Sequence, residues 1–165
     1  MLHPMSATTP TTRLHRADPA RDLDVARMLF REYAASLGFD LDFQGFEDEL
    51  RALPGEYGEP RGVILLAERE HQIAGCVALR PLEDDGVCEM KRMYVRPAHR
   101  AAGVGRALAL AILEEARTRG YRKMRLDTVA SMTPAITLYT GLGFRTIEPY
   151  RFNPLPGALY FEADL

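Results

Sequence analysis

Two glycines two residues apart, flanked by arginines, open an apolar run in "RPAHRAAGVGRAL", residues 96–108. The run reads as a helix, and a helix N-terminus leaves its first amide hydrogens without carbonyl partners and carries about half a positive charge. Glycine at 103 and 105 keeps side chains off that backbone, while Arg100 and Arg106 add mobile positive charge on either side. Such a combination is an anion site, and a diphosphate is its natural guest. Two nucleotide motifs fail on residues: a P-loop needs a Lys-Ser/Thr pair that is absent, and G-x-G-x-x-G needs glycine where Leu108 stands. What matches is R-x-x-G-x-G, spanning Arg100, Gly103 and Gly105.

The elements around this motif must hold it in place. "VCEMKRMYV" (87–95) alternates as a strand leading into it, and "VGRALALAILEEARTRG" follows as a helix with Val104, Leu108 and Ile112 on one face. Glu115 and Arg119 pair at i,i+4, and Gly120 stops the helix. "YRKMRLDTV" (121–129) is the next strand, so strand, helix and strand form a right-handed crossover between parallel or splayed neighbours. Upstream, "TTRLHRA" (11–17) reads as a first strand, and Asp18-Pro19 opens a helix whose periodic residues run from Leu23 to Leu37 before Gly38. Phe43, Phe46, Leu50 and Leu53 suggest a short second helix, closed by "PGEYGEP". "GVILLAERE" and "IAGCVALRPL" are strands joined by a tight turn, and with 87–95 they make an antiparallel meander. "TPAITLYTGLG" is a short helix, and "FRTIEPY" and "ALYFEADL" are two closing strands.

Composition bounds the rest. At 165 residues the chain fits one mixed α/β domain, about residues 13–165, preceded by a loose polar tail over residues 1–12 in which Met5 is a second candidate start. Twenty-one basic against twenty-three acidic residues give a net charge of −2, which argues against a nucleic-acid or anionic-membrane partner. No signal-peptide core or membrane-length apolar run is visible, and Cys76 and Cys88 read as buried free thiols, so a cytoplasmic protein is expected. The cysteine spacing offers no metal site.

With "EMKRMYVRP" before the glycine motif, "LDT" in the following strand and "AITLYTGLGF" beyond, the sequence resembles the GNAT superfamily of acetyl-CoA-dependent N-acetyltransferases. The likeness covers about residues 12–165 and is strongest over 72–148. It implies a mixed, mostly antiparallel central sheet that splays into a V between strands 87–95 and 121–129, flanked by about four helices. It implies acetyl-CoA as cosubstrate, with the pantetheine arm along Met93, Tyr94 and Val95. The pyrophosphate would lie on the backbone of Arg100, Ala101, Ala102, Gly103, Val104, Gly105 and Arg106, with Ala107 and Ala135 also contacting the cofactor and Tyr139 beside its sulfur. A homodimer through the final strands is a further partner the resemblance allows. One departure is Met132, which stands where many relatives carry an asparagine.

Attack on a thioester needs a neutral amine, so a carboxylate near the cleft must accept a proton; Glu89 is the candidate, against the alternative of a surface pair with Lys91 or Arg92. Tyr139 is placed by the resemblance to protonate the departing CoA sulfur, against the alternative of a packed core tyrosine. No cysteine has a histidine beside it, which favours direct transfer in a ternary complex over a covalent route. His71 and His99 read as solvated turn residues. Arg80, Lys91, Arg92 and Arg151 are expected to converge at the acceptor end and favour an anionic acceptor, whereas the acidic stretch 40–59 would favour a polycation. The expected activity is acetylation of a small-molecule amine; a non-catalytic acetyl-CoA sensor and a protein N-acetyltransferase are the alternatives.

Overall fold

The computed structural model describes residues 10–42 and 45–165. The expected tail therefore falls mostly outside the described residues, as does Phe43. Seven strands form one open sheet in the order β1-β2-β3-β4-β5-β7-β6: β1 (Thr12–Arg16), β2 (Val63–Arg69), β3 (Gln72–Pro81), β4 (Val87–Val95), β5 (Lys123–Val129), β6 (Arg145–Thr146) and β7 (Ala158–Asp164). Four α-helices accompany them among the described residues: α1 (Leu23–Leu37), α2 (Phe46–Ala52), α3 (Val104–Thr118) and α4 (Thr133–Gly141). The mixed, mostly antiparallel sheet expected from the sequence is present.

The strands alternate because each face of the sheet meets helices. On one face Val77, Leu79, Cys88 and Met90 pack with Val104, Leu108 and Ile112 of α3 and with Tyr139 of α4. On the other, Ala78, Cys76 and Tyr94 pack with Ala26, Leu29 and Phe30 of α1 and with Phe46 and Leu50 of α2. Leu29, Phe30, Leu108 and Ile112 are completely buried, each stabilising the fold by about 1.5–3 kcal/mol.

Two irregularities shape the middle of the sheet. Pairing of β3 with β4 runs Arg80↔Glu89, Leu79↔Met90, Ala78↔Lys91 and then Cys76↔Tyr94, so Val77 faces both Arg92 and Met93. This is a β-bulge, with Arg92 at φ +59°. It keeps Arg92 and Tyr94 on the α1 side and turns Met93 and Val95 toward α3. Next to it, β4 and β5 pair in parallel over only three positions, Val87↔Lys123, Cys88↔Met124 and Glu89↔Arg125. Beyond Glu89 the strands part, leaving the β5-facing edge of β4 without a strand partner among the described residues.

Three local expectations are adjusted. Helix α1 starts at Leu23 rather than at Asp18-Pro19, because Asp18 and Asp22 close a turn: the Asp18 amide donates to Asp22 Oδ2 at 2.8 Å and the Ala20 amide to Asp18 Oδ1 at 2.9 Å. Helix α2 begins at Phe46, after Gly45 at φ +67°. The strand expected over 144–150 pairs only at Arg145 and Thr146; the chain then leaves the sheet as a loop whose Tyr150 and Arg151 reach inward.

Candidate active site

The split between β4 and β5 forms the floor of an open cleft. Lys91, Arg92 and Met93 line it from β4, Asp127 and Thr128 from β5, and Ala135 and Tyr139 from α4. Tyr33, Phe39 and Leu41 wall one side, Asn153 and Leu155 the other. The structure thus brings Met93, expected along the pantetheine arm, and Ala135 and Tyr139, expected at the cofactor with Tyr139 beside its sulfur, into one cleft with Lys91 and Arg92. Tyr139 is buried against Phe144, with ring centroids 5.7 Å apart, and burial raises its hydroxyl above the ordinary tyrosine value. A tyrosine buried in this way stays protonated near neutral pH.

At the end of the split stands the N-terminus of α3. Gly103 caps it at φ +81°, and the Ala107 amide is the first to reach back, to the Gly103 carbonyl at 3.0 Å. The amides of Val104, Gly105 and Arg106 precede that bond and have no helical carbonyl to meet. Ala101, Ala102, Gly103 and Arg106 are exposed, and a Cβ on Gly105 would sit 3.7 Å from Val95 Cγ2 and 3.9 Å from Leu138 Cδ2. Bare backbone therefore borders a gap between the end of β4 and α4. Arg100 bends back onto β4, donating from Nε to the Val95 carbonyl at 2.9 Å, with its guanidinium 6.0 Å from the Tyr94 ring. Tyr94 itself faces α1, edge-on to Tyr33 at 6.5 Å.

Glu89 is neither on a solvated face nor in the cleft lining. Its side chain is fully buried, its Oε1 accepts from Arg80 Nε at 2.9 Å, and its Oε2 accepts from the Tyr150 hydroxyl at 2.6 Å and meets Arg151 at 2.5 Å. Lys91 Nζ lies 4.0 Å away. Burial alone would raise this carboxyl, but the charges of Lys91, Arg80 and Arg151 and the Tyr150 hydroxyl outweigh it and hold Glu89 below the ordinary glutamate value. A carboxylate so engaged is a weak base. It ties strand β4 to the loop between β6 and β7.

The expected cationic cluster divides. Arg80 and Arg151 meet at Glu89 and open onto a second, shallower depression with Arg125, Tyr150 and the exposed Phe152. Arg92 instead turns to α2, where Nε and Nη2 bond both oxygens of Glu49 at 2.9 and 3.0 Å, and its guanidinium lies 5.1 Å from the Phe46 ring centroid. The bulge places Lys91 and Arg92 in succession on the side of the strand that α1 and α2 cover, which brings Arg92 within reach of Glu49. The acidic stretch is largely spent on ion pairs: Glu47 with Arg31, Asp48 with Arg51, Glu49 with Arg92, Glu56 with Arg80 and Glu59 with Arg119. His99 is buried rather than solvated, with Nδ1 lacking a hydrogen-bond partner among the described residues, while His71 is exposed in the β2–β3 turn.

Both cysteines are buried and free, and burial pushes Cys88 up to about 12 and Cys76 higher still. Neither thiol is poised as a thiolate nucleophile. Sequence reasoning passed over Asp127 and Asn153. Asp127 appeared only inside "LDT", and Asn153 lies in a loop without periodicity; both reach the cleft, with Asn153 Nδ2 donating to Asp127 Oδ2 at 3.1 Å.

Comparison with known proteins accords with this geometry. The family model described as the acetyltransferase (GNAT) family matches residues 26–144. A Schizosaccharomyces pombe protein, named an uncharacterized N-acetyltransferase, is 43% identical over 146 residues, covering 88% of this chain and 90% of that protein. Among solved structures, an acetyltransferase of the GNAT family from Staphylococcus aureus superposes with a TM-score of 0.76 at 20% identity, over 93% of this chain and 99% of that one. The PaiA N-acetyltransferase of Thermoplasma acidophilum, solved with coenzyme A, gives 0.72 at 15% identity, over 94% and 99%.

Proposed function

This chain belongs to the GNAT acetyltransferase family of acetyl-CoA-dependent enzymes, and we propose that it transfers the acetyl group to the amine of a small-molecule acceptor, directly, within a ternary complex. The observation that carries the reading is the uncapped N-terminus of α3 bordering the gap at the open end of the β4–β5 split. Helix amides there suit a pyrophosphate, and the unpaired edge of β4 from Met90 to Val95 offers backbone groups to a pantetheine arm. When bound, acetyl-CoA supplies the thioester; the chain supplies orientation, dryness and proton handling. Tyr139, buried in the cleft wall, is the group that protonates the departing sulfur. Glu89 is the anchor of the β6–β7 loop rather than the base. A small acceptor fits because the α1–α2 connection, through Phe39 and Leu41, and the β6–β7 loop, through Asn153 and Leu155, close on the cleft from both sides.

Calorimetric titration with acetyl-CoA, CoA and ATP tests the reading before any acceptor is chosen. Micromolar acetyl-CoA binding is expected, lost in Gly103→Trp, which sets a bulky side chain on the bare helix start and forces an L-residue into the backbone φ of +81° there. Failure to bind acetyl-CoA, or equal binding of ATP, would remove it.

A further inference from the structure

We infer that Asp127 is the carboxylate that receives the acceptor's ammonium group and takes its proton, and that the acceptor is a primary amine carried on an apolar body. The inference rests on the acetyl-transfer reading above and assigns the base within it. Pairing of β4 with β5 ends at Glu89↔Arg125, and two positions further along each strand Lys91 and Asp127 face each other across the opening, with Nζ and Oδ1 3.9 Å apart. The Asp127 side chain is only 5% exposed yet lines the cleft.

Counting acceptor sites separates the two carboxylates. Both oxygens of Glu89 are taken up by Arg80, Arg151 and Tyr150, and the residue is absent from the cleft lining. An ionised carboxylate offers about four lone-pair positions. Among the described residues Asp127 uses one of them for the Asn153 amide, and its Oδ1 stands beyond hydrogen-bond range of Lys91. Asn153 fixes the orientation of the carboxylate and leaves the other oxygen able to accept from a guest. The surrounding walls of Leu37, Phe39, Leu41 and Leu155 are apolar, which suits a hydrocarbon or aromatic body behind the amine.

The step balances. The acceptor enters as ammonium and gives one proton to Asp127. Its nitrogen then bonds the acetyl carbonyl carbon as the C–S bond breaks, the electron pair leaving on the CoA sulfur. The second proton lost by nitrogen as the amide forms returns to the Tyr139 phenolate, directly or through water, replacing the one given to the sulfur, and Asp127 releases its proton to solvent as the products leave.

Two amines of one shape and different basicity supply the test: phenethylamine, an ammonium ion near neutral pH, and its β,β-difluoro analogue, largely neutral there. In Asp127→Asn, acetyl-CoA affinity measured by calorimetry should hold, kcat/KM for phenethylamine should fall roughly 10²- to 10⁴-fold, and the fluorinated amine should lose far less, because it enters neutral and has no ammonium proton to give to Asp127. Asp127→Ser repeats the comparison should the amide variant not fold. Equal losses for both amines, or an unchanged phenethylamine rate, would overturn the role of Asp127 while leaving acetyl transfer intact. A wild-type protein that binds acetyl-CoA, ignores both amines and acetylates a peptide N-terminus would overturn the acceptor class. Absence of acetyl-CoA binding would remove the underlying reading instead.

Discussion

Replacing Glu89 with glutamine changes one oxygen to an amide nitrogen and should cost more than any surface substitution in the chain. In the wild type three cations surround a fully buried carboxylate, with Arg80 and Arg151 in direct contact and Lys91 at 4.0 Å. The amide removes the opposing charge and also turns an N–H donor toward either the Arg80 or the Arg151–Tyr150 donors. Removing one partner from a buried ion pair costs about 3–5 kcal/mol, because the remaining charges stay buried without compensation. For a chain of this length each kcal/mol moves the midpoint by about 2–4 °C, so a fall of roughly 6–20 °C is expected in Glu89→Gln. Urea unfolding should report the same loss in free energy with an unchanged slope. The pH dependence has a definite direction. Glu89 is held below its ordinary value of 4.5, so its contribution is complete above that pH and disappears as the pH falls through the folded value. The gap between wild type and variant should therefore narrow in acid. Because the anchor holds the β6–β7 loop, KM for the acceptor should rise while acetyl-CoA affinity stays. A variant within about 1 kcal/mol of wild type would refute the reasoning, since exposed substitutions fall in that range.

Gly105→Ala should fold at least as stably as wild type, because its methyl meets only ordinary contacts and alanine favours a helix by up to about 1 kcal/mol. The same methyl intrudes on the gap beside Val95, so calorimetry should show acetyl-CoA binding weakened by about tenfold or more, about 1.4 kcal/mol. Tyr139→Phe should lower turnover roughly 10²-fold with acetyl-CoA affinity unaltered, and full activity would remove it as the acid. Lys91 is pushed down to about 8, by burial first, with the Glu89 charge opposing. Between about 8 and the ordinary 10.5 the unfolded chain binds a proton that the folded one lacks, so stability should rise with pH over that window and stay flat in Lys91→Met.

Much of the scaffold was legible because it rests on local signals. Alternation placed β2 to β5, the 3.6-residue period placed α3, and the glycines of the motif announced its N-terminus. Less was visible wherever a side chain's fate depends on a distant partner. Glu89 looked like a surface or catalytic carboxylate because its anchor, Tyr150, lies 61 residues away in a loop without periodicity. Arg92 is grouped with Arg80 in the sequence because the strands that carry them are neighbours; neither the extra residue opposite Val77 nor the distant Glu49 that Arg92 meets is visible there. Asp127 gave no sign of its surroundings, since what distinguishes it is the ending of a strand pairing two residues earlier.

That short parallel seam has a consequence for how the molecule breathes. With three rungs joining β1–β4 to β5–β7–β6, the sheet is nearly two sheets. Backbone hydrogens flanking the opening should exchange with solvent ahead of those deep in β2 and β3, at a free energy below that of global unfolding. A ligand lying along the gap would act as a missing strand. At a hundredfold excess over its dissociation constant it would add about 2.7 kcal/mol to the folded state and convert two loosely coupled halves into one cooperative unit.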